Sequence, residues 1–366
     1  MRIVRRPAAR VLAAAVLAAL LAACGENGPS GPFDAAGTSA DIGTMQGMFA
    51  TSSFNSFSGL SADMDAVLGG SVTASVAAVP QGTAAARGPI QDAPGYVRQL
   101  TALLPHARAA GLSPSTGAIP ATALGKTFIY DEAAAGYVVS DRTGAPSDGV
   151  RFVLYAVDPL THQPVSPLSE TGHVDVIDHS GSNDVDVRIL AVSGSTTFID
   201  YAITASGGAS GGNIRVHGFV SDLTDRADFD LQSGVSISGS DARITLDYDL
   251  SVPSRDAELS FTLHVESTGS DAGSGDVSLL MQGPHGKVEM EGDFGDAGGT
   301  LAVKVNGDDF ATVTLTGSFD PTVTNSAGEP LTDTDRAAIE QVARVAGDAF
   351  SVIGQLMAPA NALISL

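Results

Sequence analysis

From Asn213 to Phe319 apolar and polar residues alternate in run after run. Ala227, Phe229 and Leu231 fall at every second position, then Ile244, Leu246, Tyr248 and Leu250, then Leu259, Phe261, Leu263 and Val265. Between them stand Asp228, Asp230, Thr245, Asp247, Asp249, Ser260, Thr262 and His264. Successive side chains of a strand point to opposite faces, so this pattern predicts about eight strands, each with one wet face and one core face. Something else in the chain must cover the core face.

Strands are expected to begin near Lys126, with Phe128 to Tyr130, Tyr137 to Ser140, Val150 to Val157, His173 to Ile177, Val185 to Val192 and Thr197 to Ala205 preceding the alternating region. Val150 to Val157 is apolar at odd and even positions alike, which predicts cover on both faces. Asp158 to Pro167, rich in proline, must be an ordered loop. Glycine-rich turns such as Ser193-Gly194-Ser195, Ser238-Gly239-Ser240 and Asn306-Gly307 join the runs. Short turns connect antiparallel neighbours, and Asn-Gly between alternating runs is a strong hairpin signal. A flat sheet curls or closes beyond roughly ten strands, and this chain offers about 13. Gly218 and Gly292, at inward positions, are the places where bending is easiest.

The cover is expected from helices. Ile42, Met45, Met48, Phe49, Phe57, Leu60, Met64, Val67 and Leu68 recur at spacings of three and four, predicting one helix, or two broken near Ser52-Ser53. Val72 to Pro94 reads as a loop and Tyr96 to Ala110 as a second short helix. At the other end, Ile339, Val342, Ala346, Ala349, Phe350, Ile353, Leu356 and Met357 make one stripe, with Thr332 and Asp335 placed as a capping box and Pro359 as a stop. The predicted fold is α+β: a curved antiparallel β-meander over 124–320, a half-barrel or open barrel, with amphipathic helices at 41–110 and 332–357 packed on its apolar face. Residues 1–23 are expected to be a signal peptide, 24–40 a flexible tether and 41–366 a single domain.

The N-terminus carries an address. Arg2, Arg5, Arg6 and Arg10 accompany an apolar run from Val11 to Ala23, too short to span a bilayer, which needs about 20 residues. It ends in Leu21-Ala22-Ala23-Cys24-Gly25. This resembles the lipobox of bacterial lipoproteins. The resemblance implies cleavage before Cys24, diacylglyceration of its thiol and acylation of the new N-terminus, and two or more acyl chains give stable anchoring where one does not. The Gly25 that follows implies the outer membrane of the cell envelope rather than the inner. Cys24 is the only cysteine, so no disulfide forms within the chain. All 41 acidic residues lie after it; with the four arginines removed, 19 basic residues become 15 and the formal charge becomes −26. Such a surface repels nucleic acid and anionic head groups.

Candidate chemistry is thin. Gly208-Ala209-Ser210-Gly211-Gly212 matches the G-x-S-x-G pattern of serine hydrolases, but strands on both sides make it a hairpin loop rather than a strand-to-helix elbow. His173, Asp175, Asp178 and His179 could hold a transition metal, against the simpler reading of a solvated strand end. The Asp-x-Asp pairs at Asp228, Asp247 and Asp333 read as wet strand faces or a helix start. No cofactor and no catalytic residue are expected, and no metal. A membrane barrel would need an outward apolar band with aromatic girdles, which these polar outer faces lack. The element order is similar to that of lipoprotein-carrier and lipid-binding half-barrels of bacterial envelopes, which wrap an antiparallel sheet around helices. That resemblance implies an apolar small molecule or lipid held against an inward face of Phe229, Leu246, Tyr248, Phe261 and Leu263. The alternative is a structural or protein-interaction lipoprotein with a filled core and no ligand; in neither reading is the protein an enzyme.

Overall fold

The computed structural model describes residues 34–68, 119–337 and 339, apart from 159, 162, 182–183, 209, 240, 268–273, 296–297 and 317–321. The signal segment, Cys24, the Val72–Pro94 loop, the helix expected at Tyr96 to Ala110 and most of the C-terminal helix lie outside these residues.

A 15-stranded sheet dominates. Its strands are β1 (Thr127–Asp131), β2 (Gly136–Ser140), β3 (Gly149–Tyr155), β4 (Glu170–Asp178), β5 (Asp184–Ser193), β6 (Thr196–Gly208), β7 (Gly211–Ser221) and β8 (Arg226–Ser238). Then follow β9 (Asp241–Val252), β10 (Ala257–Ser267), β11 (Ser274–Gly283), β12 (Gly286–Gly295), β13 (Gly298–Val305), β14 (Asp308–Thr316) and β15 (Thr322–Asn325). The hydrogen-bonded order runs β15 down to β3 in sequence and ends β3-β1-β2, so the sheet is open, with β15 and β2 at its edges.

This corrects the purely antiparallel meander of about 13 strands. β1 pairs antiparallel with β2 but parallel with β3, with Phe128 opposite Phe152. Short-turn logic fixes only the β1–β2 hairpin. The connection from β1 to β3 includes β2 itself and the 141–148 loop, which is long enough to return the chain to the other side of β1. β15 lies beyond the expected end of the sheet at residue 320. The described part of the loop expected from Asp158 to Pro167 is tied down by hydrogen bonds. Asp158 Oδ1 accepts the N–H groups of Leu160 and Thr161, and Val157 bridges Pro164.

By its internal contacts the chain falls into two compact units. Among described residues, one contains 34–46, 231–337 and 339 and the other 47–68 and 119–230, so one boundary falls between 46 and 47, inside the first helix, and the other within β8.

In the first unit the sequence alternation becomes register. Across β9 and β10, Leu250 faces Leu259, Tyr248 faces Phe261, Leu246 faces Leu263 and Ile244 faces Val265. The same row continues from Phe261 to Leu279, Met290, Val303 and Ala311. Apolar residues at every second position can meet only apolar residues once the register is set, and a one-residue slip would put them all in water. Asn306 and Gly307 both take positive φ, 54° and 90°, as a two-residue hairpin turn with the twist of its strands requires. Helix α1 (Ala35–Met48) starts within the stretch expected to be tether. Asp34 is its N-cap, its Oδ1 accepting the Gly37 N–H at 2.8 Å. The C-terminal helix begins where the sequence places it. The Thr332 hydroxyl accepts the Asp335 N–H at 3.3 Å and donates to the Asp335 carboxylate, and residues 333–337 are helical.

In the second unit, β3 is buried on both faces, as apolar residues at odd and even positions alike predict, with Arg151 the one charge among them. Phe128 stacks on Phe152 at 4.9 Å, and the Tyr137 hydroxyl reaches from β2 to the Val153 carbonyl at 2.7 Å. Helix α2 (Ser52–Leu68) buries Phe54, Phe57, Leu60 and Met64, spaced three and four apart. The break between the helices falls at Phe49 to Thr51, just before Ser52-Ser53, because Thr51 caps α2: its Oγ1 accepts the Phe54 N–H at 3.2 Å. Phe57 meets Tyr201 edge-on at 6.3 Å, and Tyr201 lies 6.1 Å from Phe229. Opposite Tyr201 stands Gly218, where a Cβ would collide with the Tyr201 Cα and Cβ and the Asp200 carbonyl. Glycine is there for a close strand approach, beyond the ease of bending the sequence suggested.

Candidate functional site

Four of the five residues of the expected ligand face are brought together by the β9–β10 ladder. Leu246, Tyr248 and Leu263 are 1%, 2% and 7% exposed, and Phe261 beside them is half-buried. Phe229 belongs to the other unit, where it is buried beside Tyr201. Burial raises the Tyr248 phenol well above its ordinary range, the neighbouring Asp249 adding to the shift, and burial alone does the same to Tyr201. These faces are apolar among the described residues.

The opposite faces carry charge in ordered pairs. Arg188 forks onto Asp200 across β5 and β6, with contacts of 2.8 and 2.7 Å. Arg215 contacts Asp230 from β7 to β8, and Lys304 reaches Glu291 at 3.1 Å. The carboxylates raise all three cations above their ordinary values. Arg226 binds Asp228 and lies 3.9 Å over the Phe219 ring. Asp249 accepts the Ser260 hydroxyl at 2.6 Å. The Asp228/Asp230 and Asp247/Asp249 pairs thus lie on partly exposed strand faces rather than forming acid–base dyads.

One pair is of another kind. Arg151 forks onto Asp175 with both contacts at 2.7 Å, and the Asp175 side chain is only 9% exposed. The solvated strand end expected around His173 and Asp175 is therefore corrected: Asp175 is buried and satisfied by a guanidinium. His173 Nε2 stands 3.8 Å from Asp175. Its pKa is lowered, chiefly by desolvation and then by Arg151, with Asp175 opposing. His179 sits by Asp148 instead, and Asp178 accepts the N–H groups of Ile119 and Ser180. Among the described residues no three histidine, cysteine or carboxylate side chains gather as a metal-binding group. Sequence did hold a trace of the Arg151–Asp175 pair: each is the lone charge between apolar neighbours, Val150-Arg151-Phe152 and Val174-Asp175-Val176.

A second polar contact had no such trace. Asp41, buried on α1, accepts the His285 backbone N–H at 3.1 Å and faces its Nδ1 at 2.8 Å. The Gly208 to Gly212 pattern is a β6–β7 hairpin with Gly208 paired to Gly211, so Ser210 has no nucleophile elbow. No helix among the described residues is long and apolar enough to cross a membrane. Comparison of the chain with protein-family models, curated proteins and solved structures found no match.

Proposed function

We propose that this is an acidic, lipid-anchored lipoprotein of the bacterial cell envelope, held by Cys24, that acts non-enzymatically through its surface as a structural or protein-interaction module. Helices cover the apolar faces of the sheet in this reading. The observation that carries it is the near-complete burial of Leu246 and Tyr248 by protein atoms alone. A wall of a ligand chamber would leave such side chains accessible when no ligand is bound, and drug-sized or lipid chambers run to about 300 Å³ or more. The outer surface, of formal charge −22 for the whole chain, suits cationic or polar protein partners and opposes polyanions.

The half-burial of Phe261 supports a second reading, in which an apolar ligand is held on the β9–β10 face. One experiment separates the two. In a packed core Leu246→Trp overpacks and lowers stability by about 1–3 kcal/mol. In an open chamber it is tolerated and displaces copurified lipid. Thermal melting of the variant, with native mass spectrometry of the wild type from its own host, should show a destabilised variant and a ligand-free wild type. An undisturbed melt with a bound apolar molecule would replace the structural reading with the carrier one.

A further inference from the structure

The contact between Asp41 and His285 joins residues 244 positions apart in sequence. Asp41 is 8% exposed although it is an acid on a surface helix. Buried carboxylates are costly unless hydrogen-bonded, and here the β11–β12 turn supplies two donors, the His285 backbone N–H and imidazole Nδ1. The surroundings are cut to fit. A Cβ at Gly283 would strike the Asp41 carboxylate, and one at Gly37 would lie 2.5 Å from both His285 Cγ and Asp34 Oδ2. Thus α1 and the hairpin approach so closely that a methyl group at either point would force the Asp41 or His285 side chain out of place. The same stretch of helix buries Ile42 and Met45, so its docking keeps apolar side chains from water.

We propose that Asp41 and His285 form a pH-dependent latch that docks α1 on the β11–β12 hairpin and loosens as His285 loses its proton. The charged groups acting on the imidazole are Asp41 first and Asp34 second, both from α1. On the hairpin, Lys287 is engaged with Glu289 at 2.7 Å, and the neighbouring β13–β14 turn contributes the uncharged Asn306, whose Oδ1 accepts the Lys287 N–H. The hydrogen bond and charge of Asp41 raise His285 above the ordinary 6.5. The docked helix therefore holds the proton more tightly than the free one does. Docking is strongest below pH 6.5 and weakens as pH rises through the raised value. The neutral imidazole can still donate from Nδ1, so the latch loosens and does not vanish. The latch does not depend on the anchor.

The test uses the full mature protein. Hydrogen exchange of α1 peptides, corrected for intrinsic rates, is followed from pH 6 to 9 together with the His285 imidazole resonances. Loss of a half-exposed ion pair corresponds to about a fivefold rise in α1 opening. That rise should track the His285 titration and be absent from α2. His285→Gln, which can donate but cannot titrate, should flatten the profile. Asp41→Asn should return the His285 titration toward the free value. Gly283→Ala should open α1 at every pH. A wild-type α1 whose corrected opening is independent of pH, or a His285 titration unmoved by Asp41→Asn, would overturn the latch.

Discussion

Arg151–Asp175 and Arg215–Asp230 share a geometry and differ in solvent. Both are Arg–Asp forks between strands, but the side chains of the first are 24% and 9% exposed and those of the second 47% and 29%. Water and ions screen the second pair, and exposed pairs contribute about 0–1 kcal/mol. Removing the guanidinium from the first strands a buried carboxylate, which costs about 1.5–3 kcal/mol in lost charged hydrogen bonds and desolvation. Arg151→Ala should therefore destabilise by about 2 kcal/mol and Arg215→Ala by less than about 1 in denaturant melts. Equal effects would mean that Asp175 finds another donor or becomes hydrated.

Within an element, position decides the sign of one substitution. Gly43 lies inside α1 with open space where a Cβ would stand, whereas Gly218 faces the backbone of β6. Glycine in an exposed helix interior costs about 0.5–1 kcal/mol relative to alanine. Gly43→Ala should raise the unfolding free energy by that much in denaturant melts. Gly218→Ala should lower stability by about 1–3 kcal/mol, since Tyr201 is fixed between Phe57 and Phe229 and has nowhere to go. A neutral Gly218→Ala would show that β6 and β7 can separate without loss. The ends of these elements follow the same local chemistry. Thr332 and Asp335 could be read as a cap because an apolar stripe follows them, whereas Asp34 caps a helix whose first buried hydrophobic residue in that stripe is Ile42, so the start of α1 looked like tether.

At the scale of the molecule, the proposal of a lipid on Cys24 is tested at the N-terminus. Cys24→Ser should leave the precursor uncleaved by the lipoprotein peptidase, while the mature wild type should begin at Cys24 and partition into detergent. The check is intact-mass measurement of the N-terminus combined with phase separation. An unacylated mature N-terminus at another residue would remove the anchor. A net charge of −26 would then favour free solution over any anionic surface, because no basic patch offsets it in sequence.

Sequence by itself determined the alternation of Ile244 to Leu250 and Leu259 to Val265, and with it which residues share the core face; the ladder then pairs Leu246 with Leu263 and Tyr248 with Phe261. It determined the double burial of β3 and the turn at Asn306-Gly307. These depend on neighbours a few residues away: a side-chain period of two, apolar residues at odd and even positions alike, a backbone that needs positive φ. Tertiary structure alone decided that β1 lies parallel to β3, that Arg151 meets Asp175 and that Asp41 meets His285. Each depends on which distant segments are brought side by side. A charge in a sequence shows its need for a partner, but only the packed chain brings that partner within 3 Å.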